Sequence, residues 1–203
     1  MGDEPLSPLQ AASALREVAR WSDTLQQRTL GLTWLLWALV TPGIFVTYAW
    51  SAASAEGARW AALAWLPWAA MGMLVTALLW RSSRVEREPA AVSARELALH
   101  AVLFLLASVG AATVVLVLRL PLAPPAAVLL GLGLLIGMLG VRDVLGRERA
   151  PGALQVLGGV ALIAFGLSEA SAGVGAEGAA IANALATALV LGGIGAFRYA
   201  WRG

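Results

Sequence analysis

Residues 122–141 read LAPPAAVLLGLGLLIGMLGV, twenty positions without a charged side chain. A helix rises ~1.5 Å per residue, so this run is ~30 Å long, the thickness of a bilayer's hydrocarbon core. Its apolarity is continuous, whereas a barrel strand alternates apolar and polar positions over about ten residues. The run therefore predicts a membrane-spanning helix. Outward from it lie five more runs of the same kind, at residues 29–50, 60–80 and 97–118 on one side and 151–168 and 179–197 on the other. The segments between them are short, and none can hold a soluble domain.

The composition agrees with that reading. Of 203 residues, 60% are hydrophobic and 13% charged, against about 25% charged in a soluble domain. The expected fold is all-α: a polytopic membrane protein of six transmembrane helices in three hairpins over residues 29–203. The first run starts too late and is too long for a signal peptide, and no cleavage pattern closes it, so it is expected to stay in the mature protein.

All fourteen basic residues are arginines, and their placement predicts orientation. With the N-terminus inside, twelve of them fall on the inner side and only Arg59 and Arg119 on the outer. Arginine enrichment marks cytoplasmic flanks. The chain is thus expected in the cell membrane with both termini cytoplasmic, and its sequence pI of 9.9 reflects topology and not a nucleic-acid partner.

Residues 1–28 form a segment with its own pattern. Ser7, Pro8 and Gln10 have the spacing of a helix start with a capping box. Leu15, Val18, Trp21 and Leu25 then recur at three- and four-residue steps, opposite Arg16, Glu17, Arg20, Asp23 and Gln27. This predicts a cytoplasmic amphipathic helix lying at the membrane interface, with packing against a partner subunit as the other reading.

Candidate chemistry is sparse. There is no cysteine and a single histidine, His100, which excludes disulfides, thiolate sites and multi-histidine metal or haem sites. No ionisable residue falls near the middle of a run. Glu96 and Asp143 lie at inner edges, Glu56, Glu169 and Glu177 at outer ones. Proton relays and carboxylate rings need such groups at depth. His100 sits one turn from Glu96 and is expected to bond to it or to a headgroup. The chain is expected to be non-enzymatic, with no cofactor or metal.

Three features remain. Pro42 and Pro67 lie at matching depth, ~11 Å from the outer ends of their runs; kinks there, flanked by Trp65 and Trp68, form either an outward-facing ligand cleft or ordinary packing. Ala180, Ala184, Ala188, Gly192 and Ala196 recur every four residues, and Gly133 and Gly137 form a GxxxG; both are helix-packing faces, toward this chain or another subunit. Asn183 and Gln155 are placed for interhelical hydrogen bonds.

The stretches LLGLGLLIGMLGVRDVLGRE (129–148), LQVLGGVALIAFGL (154–167) and LATALVLGGIGAFRYAW (185–201) give tandem hairpins with Gly-rich helices and an Arg-bearing inner turn. This pattern resembles the small six-helix HdeD-type bacterial membrane proteins, which implies an envelope protein and assigns no residue a role. An interfacial helix before six spans is also similar to the permease halves of small ABC exporters. The expected function is a packing or accessory subunit of a membrane complex, in contact with the lipid bilayer and with other membrane subunits or itself. The alternative is a small transport permease working with a separate ATPase.

Overall fold

The computed structural model describes residues 7–53, 63, 66–82, 102, 106, 124–146, 148–172 and 176–201. The first helix, α1, spans Pro8–Ala52 and starts as its residues predict: the Ser7 hydroxyl accepts from the Gln10 N–H at 3.3 Å, and the Gln10 side chain accepts from the Ser7 N–H at 3.0 Å. No glycine or proline lies between Leu9 and Leu30 to stop it. The hydroxyls of Thr24, Thr29 and Thr33 fold back onto the carbonyls of Arg20, Leu25 and Thr29 across the stretch where a break was expected. The amphipathic segment and the first apolar run are consequently one helix of 45 residues, and the 28/29 boundary is not a structural joint.

Four further helices follow: α2 (Leu66–Ser82), α3 (Pro124–Leu145), α4 (Arg149–Ala172) and α5 (Ala176–Ala200). No strand occurs among the described residues. Among the described residues four of the five helices, α1, α3, α4 and α5, are long and apolar enough to cross a membrane, so the protein is membrane-embedded. The third apolar run apart from Val102 and Leu106, His100 with Glu96, and Trp65 lie outside the described residues.

Two helix pairs are packed backbone to backbone. In the α3–α4 hairpin the contact residues recur every seven positions: Ala126, Gly133 and Gly140 on α3 meet Gly166, Gly159 and Gly152 on α4. A Cβ on Gly152 would lie 2.7 Å from the Gly140 carbonyl oxygen, one on Gly159 2.5 Å from that of Gly133, and one on Gly166 3.2 Å from that of Ala126. No larger residue fits without separating the helices. In the α1–α5 pair a Cβ on Gly31 would lie 2.6 Å from the Tyr199 nitrogen and one on Gly195 2.9 Å from the Gly31 oxygen.

The pairs share a core of Ala38, Phe45 and Ala49 from α1, Leu129 and Ile136 from α3, Leu162 from α4, and Ala180, Ala184, Leu191 and Ile194 from α5. Ala180 and Ala184 thus belong to the chain's own interior, and the α5 small-residue stripe is spent there at its outer half. Ala188 and Gly192 are half-buried and Ala196 is exposed. The GxxxG of Gly133 and Gly137 likewise faces Gly159 of α4. Helix α2 lies against α1 by an exchange of rings: Trp68 covers Gly43, and Trp37 covers Gly72.

Candidate functional site at the arginine-rich end

Arg198 ends the last apolar run and is the largest side chain to be fully buried, at 1% exposure. Close contact of α5 with α1 through Gly195 and Gly31 draws Arg198 inward, since it sits one turn further along the same face. Four other side chains meet it. Its guanidinium pairs with Asp143 at the end of α3 and, at 2.9 Å, with Glu148 in the turn before α4. It also donates to the Gln27 oxygen of α1 at 2.9 Å, and Gln27 in turn donates to Glu148 at 2.6 Å. Gln155 of α4, its amide oriented to suit its neighbours, donates to Asp143 at 2.9 Å and accepts from Arg198 at 3.2 Å.

Every helix of the two packed pairs contributes to this cluster. Glu148 is held by its backbone: its N–H donates to the Asp143 carbonyl and its own carbonyl accepts from Gly152, both at 2.9 Å. One guanidinium faces two carboxylates, with the Asp143 side chain 22% and the Glu148 side chain 34% exposed. The arginine's donors are engaged by carboxylates and amides in a charge-assisted network. Such an arrangement ties helix ends together. It presents no activated nucleophile, and among the described residues no group of side chains has the makings of a metal site.

The opposite end of α4 and α5 holds a second polar pair. Glu169 is 8% exposed and Asn183 fully buried, and they lie side by side. Neither carboxylate oxygen nor either amide atom has a hydrogen-bond partner of normal geometry. The Asn183 amide thus stands beside the Glu169 carboxylate of α4, and Gln155 bonds to Asp143 of α3 and Arg198 of α5. Thr187, one turn deeper, satisfies itself on the Asn183 and Ala184 carbonyls at 2.7 and 3.1 Å.

The expected cleft takes a different form. Pro42 sits inside α1, which continues to Ala52, but Pro67 is the second residue of α2. There its missing N–H would lack a helical acceptor in any case; residues 64–65 before it lie outside the described residues. Trp68 fills the space beside Gly43, with its indole N–H donating to the Thr47 hydroxyl at 2.9 Å. Of the expected cleft residues, Trp68 plugs the α1–α2 contact and Trp65 lies outside the described residues.

Sequence reasoning missed the Arg198 cluster because it counted Arg198 and Asp143 as topology markers. The signal available was Asp143, Glu148, Gln155 and Arg198 at the same-side ends of consecutive runs, with Gln27 at the same edge. Comparison with known protein families, with curated proteins and with solved structures finds no match for this chain.

Proposed function

We propose that the chain is a non-enzymatic accessory subunit of a membrane complex, held in the cell membrane with both termini cytoplasmic and engaging a partner through the projecting half of α1. The observation that carries this is length against composition. At ~1.5 Å per residue α1 is ~67 Å long, more than twice the ~30 Å hydrocarbon core. With residues 29–50 in the bilayer, the remainder stands outside it. That outer part bears Leu15, Val18 and Trp21 at 71%, 67% and 71% exposure, and apolar surface of this kind beyond the lipid marks an interaction site. Paired charges and close glycine contacts support a packing role, as does the resemblance to HdeD-type proteins.

The test is mass spectrometry of what copurifies in mild detergent with the wild type and with Leu15→Glu/Trp21→Glu. The wild type retains a stoichiometric membrane or cytoplasmic-face partner and the variant loses it while staying in the membrane. Equal partner content in both preparations defeats the proposal. A second reading, a small permease, draws on the buried Glu169–Asn183 pair, a polar site between the ends of two helices long and apolar enough to cross a membrane. A nucleotide-hydrolysing subunit among the copurified proteins favours it.

A further inference from the structure

On the lipid-side surface of the α3–α4 hairpin a groove of about 590 Å³ runs toward the arginine-rich end. Leu134 and Met138 form one wall, Val156, Val160 and Ile163 the other, and Gly137 the floor. The groove exists because Gly137 carries no side chain: a Cβ there would meet nothing within 4 Å, although the glycines above and below it are in tight contact. Arg142 lines its end. Arg149, exposed at the start of α4, stands seven residues before Val156 and fourteen before Ile163, on the same helix face.

We propose that this groove holds one acyl chain of an anionic phospholipid whose phosphate sits between Arg142 and Arg149. Three features select that occupant. The groove walls run from Leu134 to Arg142, ~12 Å, close to the ~15 Å depth of a single leaflet. Its walls are aliphatic, as a chain requires. Arg142 lines its end and Arg149 lies two turns before Val156 on the same face of α4, and basic pockets between helices near the membrane edge suit anionic headgroups.

The experiment uses the full chain, purified in mild detergent and loaded from mixed micelles of equal phosphatidylglycerol and phosphatidylcholine, with bound lipid counted by native mass spectrometry. The wild type keeps one phosphatidylglycerol in preference to phosphatidylcholine. Arg142→Gln/Arg149→Gln loses that preference by about 5-fold per arginine. Gly137→Leu fills the floor and loses both lipids. Val160→Trp, at a half-exposed wall position, does the same without touching the glycine contacts, so a folding failure of Gly137→Leu leaves the proposal open to refutation. Three outcomes overturn it: no headgroup preference in the wild type, unchanged retention in the filled variants, which means another segment of the chain covers the groove, or a wild-type dimer that Val160→Trp dissociates.

Discussion

Replacing Arg198 with methionine keeps an unbranched apolar stem and removes the guanidinium with its charge and donors. Asp143 and Glu148 then face each other without that cation, and Gln27 and Gln155 each lose a bond. Breaking a fully buried ion pair costs ~3–5 kcal/mol, and an exposed one contributes ~0–1 kcal/mol. Here the arginine is 1% exposed while its partners' side chains are 22% and 34% exposed. The carboxylates can turn to water once released, so the cost falls between those limits, at about 2–3 kcal/mol. For a chain of this size 1 kcal/mol moves the midpoint by roughly 2–4 °C, which gives a fall of ~4–12 °C. The assay is thermal unfolding in mild detergent, followed by size-exclusion chromatography of heated samples. The triple variant Arg198→Met/Asp143→Asn/Glu148→Gln carries no stranded charge and is expected to regain about half of the loss or more. A shift below about 1 °C for Arg198→Met, or a triple variant less stable than the single one, refutes the argument that this cluster fastens the helix ends.

Other outcomes follow from the same packing. Gly152→Ala places a methyl 2.7 Å from the Gly140 oxygen and is expected to destabilise by ~1–3 kcal/mol, whereas Gly193→Ala meets nothing within 4 Å and is expected to stabilise by ~0.5–1 kcal/mol; thermal unfolding of the pair reads both signs. Ala184→Leu, at 6% exposure within the core, is expected to lower the midpoint while leaving the oligomeric state unchanged in native mass spectrometry. A change of stoichiometry would mean that the stripe serves another subunit. Since the chain has no cysteine of its own, single cysteines report topology cleanly: Glu177→Cys is expected to react with an impermeant thiol reagent in intact cells and Arg149→Cys only after lysis.

How much of this was legible in the sequence follows the range of each interaction. The capping box at Ser7 joins residues three apart and was readable, as were the apolar runs, whose signal is their own length. The α3–α4 register was half visible: a four-residue search found Gly133 and Gly137, but the contacts follow a seven-residue step shared by Gly133, Gly140, Gly152, Gly159 and Gly166. The effect of Pro67 depends on where its helix starts, and nothing local in the sequence announces that position. The cluster joins Arg198 to residues 43 to 171 positions before it. Each member, taken alone, looks like an ordinary residue at a membrane edge, and only the direct backbone contacts of the glycines bring them together.

The unbroken run of α1 makes it a drive shaft. Its two halves share one ladder of i to i−4 hydrogen bonds, so a partner that grips Leu15 and Trp21 and turns them also turns Gly31, Phe45 and every position between. At Gly31 the shaft touches the α5 backbone at Gly195 and Tyr199, on either side of Arg198, with no side chain to act as a cushion. Torque applied outside the bilayer therefore arrives, within a few turns of helix, at the one guanidinium to which the other helices are fastened.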